Sequence, residues 1–529
     1  MRNEELAVQP RPARSVAPQK ARTHFVINVS SNIAYMVTTM LLMFWYVPFL
    51  IRHLGVAAYG IVPLANSLIT YVSIITEGLD TAVNRFLTID LNRADVSAAN
   101  ATFNTAFFAS TTIVLALLPF TLLASWLFPA FFQVPNGLEN ASRFLFACVM
   151  LTFCLSVIGS NFEVSTLALH RFDLRNLVRG VVMITRIGSV ALFFAIMRAN
   201  IWQVGLGFLL GAIVEVSGGW LIWRRLTPQL HIRLAAFERT RLRSLLGFSA
   251  WSVINRVGML LFLSLDLVII NIYLGASATG EYGTLILFPE LIRNLADTVT
   301  SVLNPAIVAR YALHDDEGLR TLSTRSVKLL GMALALPIGL LCGLAQPFLA
   351  RWLGADFRRL NLLLIVMVGH LSINLATLPL SYVLTSYNKV KIQGIVTLCL
   401  GIVNVLLAIM LAVGLHWGAL GVALATACVL TIRNLFFLSS YSAHIMKIPW
   451  WTFYPTLFSG VIGTLATGLG AYGLTRLWPV ATWGSLVLMG MTVAVAYSLF
   501  AFWIVLNQTE RRMLIDLCPV PVQRYVKWV

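Results

Sequence analysis

Residues 26–60 read VINVSSNIAYMVTTMLLMFWYVPFLIRHLGVAAYG, an apolar run closed by Arg52 and a Leu54-Gly55 corner. A run of 18 or more apolar residues is long enough to cross the roughly 30 Å hydrocarbon core as a helix, and this one is too long for the core of a signal peptide. Water is absent from that core, so every backbone amide must be satisfied within its own segment, which a helix achieves. Comparable runs recur as far as residue 506, and none has the alternation of a barrel strand. The 529-residue chain is 58% hydrophobic and 11% charged, against about 25% charged in soluble domains. The sequence therefore predicts an all-α polytopic membrane protein.

Fourteen spans are expected, at roughly 26–50, 60–80, 102–127, 144–169, 178–198, 202–222, 249–274, 283–305, 328–350, 361–384, 392–414, 418–441, 453–475 and 484–506. Residues 1–24, with Pro10, Pro12 and Pro18 among Arg11, Arg14, Lys20 and Arg22, read as a disordered, solvated tail. Alternate connections carry most of the lysines and arginines, including Arg224, Arg225, Arg233, Arg239, Arg241 and Arg243 in one loop. The opposite connections are short and carry few: Arg52, Arg143, Arg198, Arg351, Arg358, Arg359 and Arg476. Positive charge collects on the cytoplasmic side, which places both ends there. The net charge of +17 is explained by this bias, with no need for nucleic acid. The six cysteines form no CxxC pair, so no disulfide, metal site or cofactor is expected. No connection on the sparsely charged side is long enough for a catalytic domain, and GxxxxGK[ST], HExxH and GxSxG patterns are absent. A pump or hydrolase needs such a phosphate cradle, metal pair or nucleophile elbow, so an enzyme is not expected.

The corner after span 1 returns after span 7. Leu54-Gly55 and Tyr59-Gly60 are echoed by Leu274-Gly275 and Tyr282-Gly283, an offset of 220 between the first glycines. Phe172-Asp173 and Tyr387-Asn388 repeat at 215, as do Trp202 and Trp417. A six-span repeat returns the chain to its starting side, giving two parallel pseudo-symmetric lobes, an arrangement that places a site near the midplane between them. The expected organisation is an N-lobe at 25–222, a basic linker at 223–248, a C-lobe at 249–441, and two appended helices with a tail at 442–529. Leu234, Phe237, Leu242, Leu245 and Leu246 give the linker an apolar stripe, either a helix lying on anionic lipid or a plain loop.

Nine charges lie well inside spans: Glu163, Arg186, Glu215, Arg256, Asp266, Glu290, Arg293, Asp297 and Arg433. At ~2.5–3.5 kcal/mol each, exposing all nine to lipid would cost roughly 22–32 kcal/mol, so most must face protein or water. On span 8, Glu290, Arg293, Asp297, Ser301 and Asn304 follow at spacings of three, four, four and three, one continuous polar face. Span 2 repeats the pattern with Asn66, Thr70, Ser73, Glu77, Asp80 and Asn84. Asn255, Met259, Phe262 and Asp266 share a face of span 7, with Arg256 roughly 90° away. Two readings follow, a hydrated cavity lined by these faces or a buried ion-pair network such as Glu290–Arg293–Asp297. Arg186 and Glu215 read as a structural pair, Arg433 as a cation able to snorkel to the inner face, and His370 as a packed histidine or a proton relay.

The LGVAAYG corner, Gly78-Leu79-Asp80…Asn84-Arg85-Phe86, Asp266…Gly280-Glu281-Tyr282-Gly283 and Trp417-Gly418-Ala419-Leu420-Gly421 together resemble the polysaccharide (O-antigen and exopolysaccharide) flippases of the multidrug/oligosaccharidyl-lipid/polysaccharide exporter superfamily. The resemblance covers most of the chain. It implies two six-helix lobes with spans 1, 2, 7 and 8 lining the cavity. The implied activity is carriage of polyprenyl-pyrophosphate-linked oligosaccharide, the expected partner, across the bacterial inner membrane for surface polysaccharide synthesis. Other polysaccharide-assembly proteins are further expected partners. For such a cargo Arg293 and Arg256 are the leading phosphate ligands, with Arg52 and Arg85 at the two mouths. Asn66, Thr70, Ser73 and Asn255 would meet sugars, with Glu290 and Asp297 on the same lining. Similar lipid II flippases hold a cation between spans 7, 11 and 12, where Asp266, Asn404, Val422 and Thr426 stand here; Ala408 occupies the place of a second carboxylate. The alternatives are a cation-coupled multidrug exporter of the same fold, which would favour an acidic cavity, and a membrane glycosyltransferase or polymerase.

Overall fold

A computed structural model describes residues 18–511 apart from 479, 481 and 509; for residues 18–26, 29, 75, 77, 78, 81, 244 and 246–256 it describes the backbone alone. Among the described residues every regular element is a helix. Six long helices come first: α1 (Pro18–Leu54), α2 (Val56–Asn92), α3 (Val96–Phe131), α4 (Glu139–Ala168), α5 (Phe172–Ile196) and α6 (Ile201–Leu226). Then follow α7 (Arg239–Leu263), α8 (Leu265–Leu285), α9 (Leu287–Ala312), α10 (Asp316–Gly343) and α11 (Ala345–Trp352). The remainder comprises α12 (Asn361–Gly369), α13 (Leu371–Asn374), α14 (Leu378–Ser386), α15 (Val390–Ile409), α16 (Gly418–Ile432), α17 (Ser439–Ile445), α18 (Tyr454–Leu477) and α19 (Trp483–Phe500).

Eleven of these stretches are long and apolar enough to cross a membrane, and the bent pair Ala355–Asn374 with Leu378–Ser386 supplies a twelfth. The second bent pair runs from Val257 to Ala312. It bends by 43° between Leu263 and Leu265 and is broken again inside α8 at Gly275, whose φ of 92° lies in the left-handed region that only glycine adopts freely. Counted as one span, this pair brings the total to thirteen, one fewer than the fourteen expected from the sequence, which places a boundary between two spans at this corner.

The six-helix repeat is written in the backbone. Left-handed residues recur in pairs: Gly55 with Gly275, Ala94 with His314, Gly137 with Gly354, and His170 with Asn388, all 217 to 220 residues apart. The turns are the same motif. Asp95 N–H donates to the Asp90 carbonyl and Asp315 N–H to the Arg310 carbonyl, the six-residue closure of a helix C-terminus. Each aspartate then caps the next helix, Asp95 through Ala98 N–H at 2.9 Å and Asp315 through Gly318 N–H at 2.8 Å. The register read from Phe172-Asp173 and Tyr387-Asn388 is three residues out, since His170 is the true counterpart of Asn388.

The chain divides into two compact units. The first comprises Met1–Tyr46, Thr76–Leu123 and Ala147–Phe248. Its core joins Leu79, Val83 and Leu87 of α2 to Phe103 of α3, Phe162 of α4 and Trp223 of α6, with the Phe103 and Trp223 rings stacked at 5.1 Å. The basic linker is pinned to α3. Asn100 and Asn104, one turn apart, each make a two-bond clamp on its backbone, to Gln229 and His231 and to His231 and Arg233 respectively. Glu238 N–H donates to Thr105, and Arg241 reaches Asp90 at 3.3 Å. The linker is neither a free amphipathic helix nor a loose loop. Only 227–238 departs from α-helix, and α7 already begins at Arg239.

The second unit comprises Val47–Ile75, Ala124–Phe146 and Ser249–Val529. Within it α2 lies so close to α8 that a Cβ on Gly60 would meet the Gly280 backbone nitrogen at 2.5 Å. α10 and α18 approach equally tightly through Gly331, Gly339, Gly460 and Gly468, the small-residue packing by which membrane helices gain contact without a hydrophobic drive.

Candidate functional site

The candidate site is built on α9. Pro289 sits in its first turn, where a missing N–H costs nothing. Phe288, Pro289, Ile292, Ala296, Thr300 and Ile307 are buried at helical period and fix one face to the unit. That forces Glu290, Arg293, Asp297, Ser301 and Asn304 onto another face, where Glu290, Asp297 and Ser301 are exposed and Arg293 and Asn304 half-buried. Among the described residues Arg293 makes no direct ion-pair contact, so Glu290, Arg293 and Asp297 interact at longer range and not as a hydrogen-bonded network.

Arg293 instead borders a small, partly open cavity of about 20 Å³, with Asp266, Tyr282, Phe262, His370 and Thr426 among its walls. This is room for one water-sized guest. Asp266 is buried and doubly held: Tyr282 Oη donates to its Oδ2 at 2.6 Å, and Thr426 Oγ1 donates to its carboxylate at 3.3 Å. His370 Nδ1 is met by Asn374 Nδ2 at 2.7 Å, a packed and partnered histidine. The structure thus gathers one acid, one cation, two hydroxyls and one imidazole from α8, α9, α16 and the α12–α13 junction. Tyr282 is the residue that sequence reasoning missed. It entered only as part of a corner, and its approach to Asp266 across the Gly275 turn leaves no spacing signal.

On α2, Gly60, Pro63 and Tyr71 face α8, and Tyr71 Oη donates to the Ser264 carbonyl at 2.6 Å. Asn66, Thr70 and Ser73 lie roughly 100° around the same helix. Asn66 and Thr70 are exposed, and Ser73 Oγ donates to the Thr70 carbonyl at 2.9 Å. Arg52 is exposed at the end of α1, in the second unit; Arg85 is exposed on α2, in the first, with its guanidinium 5.9 Å from the Phe86 ring centre. The side chains of Asn255, Arg256 and Glu77 lie outside the described residues.

Of the four residues expected around an ion, Asp266 and Thr426 touch, and Val422 is fully buried one turn from Thr426. Asn404 does not join them by hydrogen bond. Its Nδ2 donates to the Leu261 carbonyl at 3.2 Å, while its Oδ1 is buried with no partner among the described residues. Elsewhere, Arg186 stacks over Phe208 at 4.3 Å and feels the charge of Glu215 without a direct ion-pair contact, the Glu215 carboxylate accepting from Ser156 at 2.9 Å. Arg433 does not snorkel. It is buried and donates to Thr397 at 3.0 Å and to Asn434 at 2.7 Å.

Comparison with known proteins gives these residues a setting. The family described as "Polysaccharide biosynthesis protein" matches residues 25–311. A protein of Bacillus subtilis (strain 168), the uncharacterized membrane protein EpsK, is 34% identical over 495 residues, 93% of this chain and 97% of its own. The probable low-salt glycan biosynthesis flippase Agl15 of Haloferax volcanii is 23% identical, covering 90% of this chain and 96% of its own. Among solved structures, the lipid II flippase MurJ in an inward closed conformation aligns with a TM-score of 0.64 at 15% identity over 90% of this chain and 100% of that one. An inward-facing multidrug resistance MATE family transporter aligns equally well, 0.64 at 13% identity over 80% and 98%, so the shared fold is that of the exporter superfamily. The chain belongs to the polysaccharide biosynthesis protein family.

Proposed function

We propose that this protein is an alternating-access transporter carrying polyprenyl-pyrophosphate-linked oligosaccharide across the bacterial inner membrane, from the cytoplasmic to the opposite leaflet, with both termini cytoplasmic. The observation that carries the reading is Arg293, a half-buried guanidinium in a membrane-spanning helix that makes no direct ion-pair contact with a described carboxylate, although Asp266, Glu290 and Asp297 act on it at longer range. A guanidinium at membrane depth without a direct carboxylate contact is costly, and a pyrophosphate would satisfy it through charge-assisted hydrogen bonds. Arg256 is the second phosphate ligand in this proposal. Asn66, Thr70, Ser73 and Asn255 contact the sugars, with Glu290 and Asp297 on the same lining and Arg52 and Arg85 at the mouths. Names borne by relatives support the cargo class, since Agl15 is a probable glycan biosynthesis flippase and MurJ a lipid II flippase. The two lobes at 25–222 and 249–441 carry the cavity between them in this reading.

Coupling is assigned to the Asp266 pocket, where Thr426 and Tyr282 preorganise the carboxylate, and the unpartnered Asn404 Oδ1 supplies the remaining ligand after a small shift of α15. Replacing Arg293 or Arg256 by Ala should abolish surface polysaccharide while membrane levels of the protein stay normal. Normal polysaccharide in both variants would exclude the phosphate assignment.

A further inference from the structure

Two larger hollows of the second unit lie away from the Asp266 pocket. Between α9, α10 and α19 a chamber of about 1000 Å³ is walled by apolar side chains, among them Leu303, Leu329, Ala333, Leu336, Ala501 and Phe502. Beside it a bay of about 620 Å³ carries Arg320, Arg325, Lys328, Trp451, Thr452 and Asn507. The two share Glu317, Thr321 and Arg325, so a basic bay and an apolar chamber have a common rim.

The cations of the bay are not all spent. Lys328 Nζ is taken by Glu510 at 2.8 Å and by the Val505 carbonyl at 2.9 Å. Arg320 stands 3.8 Å from an exposed Glu317, a pair that solvent screens. Arg325 forms no ion pair among the described residues and points its charge at the shared rim. With Glu317 and Glu510 counted, the bay keeps one net positive charge. Trp450 and Trp451 stand exposed at its edge with ring centres 5.6 Å apart, as tryptophans do at headgroup depth. Depth identifies the guest. From Arg325 to Leu336 the α10 wall climbs eleven residues, about 16 Å at 1.5 Å per residue, which is half of the roughly 30 Å hydrocarbon core. That is one leaflet, the reach of an acyl chain and not of a long polyprenyl.

We propose that the bay and chamber bind an anionic glycerophospholipid of the leaflet on the basic side of the membrane, its phosphate between Arg320 and Arg325 and its acyl chains against α10 and α19. The site is independent of the cargo reading above, because none of its residues touches the Asp266 pocket.

Native mass spectrometry of the full purified chain tests this with phosphatidylglycerol and phosphatidylcholine of identical chains, and with polyprenyl phosphate as competitor. Each basic residue beside an anionic headgroup is worth roughly fivefold in affinity, so R320Q/R325Q should weaken phosphatidylglycerol roughly 30-fold and phosphatidylcholine, whose choline offsets its phosphate charge, by much less. R320K/R325K should retain binding, and A333W, which fills the chamber, should weaken both lipids. Equal binding of the two lipids by the wild type, or undiminished binding by A333W, would overturn the proposal. So would displacement of phosphatidylglycerol by polyprenyl phosphate at equal concentration, which would give the site to the carrier lipid. Should the glutamine variant fail to fold, the lysine variant and A333W decide.

Discussion

Asp266 and Tyr282 show what one hydroxyl does at membrane depth. A carboxylate buried in low dielectric needs donors, and the Tyr282 Oη at 2.6 Å is the shorter of the two described for it. Tyr282→Phe should therefore destabilise the protein by about 1.5–3 kcal/mol, the range for hydrogen bonds to charged groups. Thermal unfolding in detergent checks this, and an unchanged midpoint would mean that Thr426 alone satisfies the acid. Asp266 itself was legible as a charge inside an apolar run. Its partner was not, because sixteen residues and a left-handed corner separate them. Arg433 was misjudged for a related reason: hydropathy registers the charge, but not Thr397 of α15 and the adjacent Asn434, which hold it.

At the scale of elements, helices were legible wherever hydropathy ran long, and the connections were not. The linker looked amphipathic by composition, yet two asparagines of α3 hold its backbone extended between Gln229 and Arg233. Asparagine is common at helix starts, so Asn100 and Asn104 give no warning of such a role. Asn104→Ala strips bonds from two partly buried linker backbone groups and should cost about 1–3 kcal/mol. Limited proteolysis should then cut between 227 and 238 faster than in the wild type; an unaltered rate would show that Asn100 suffices. The corner after α9 responds to acid. Asp315 lies outside the spans, and Arg310 first, then the Gly318 amide, hold its carboxyl below the ordinary range. A lowered value means that the ionised acid supports the fold at neutral pH, and that this support fades as pH falls below about 4. Hydrogen exchange at Gly318 should quicken in that window. Asp315→Asn, which cannot titrate, should remove the dependence.

At the scale of the whole molecule, the fourteen crossings expected from the sequence would leave both ends on one side of the membrane, the cytoplasmic side by the charge bias. Green fluorescent protein fused at either end should fluoresce if that side is the cytoplasm, while alkaline phosphatase fused after Gly137 should be active. A dark fusion at both ends would reverse the orientation drawn from the arginines. The repeat was legible only faintly from letters, and one of its three matches was out of register. Ala94 and His314 occupy the same left-handed position with unlike side chains, as do His170 and Asn388. What has been kept in these corners is a set of torsion angles, and residue identity has drifted around them. Loops so related are interchangeable parts. A chimera carrying residues 92–99 in place of 312–319 should fold, whereas an equally long loop lacking the left-handed step would aim α10 in a different direction and take its bundle with it.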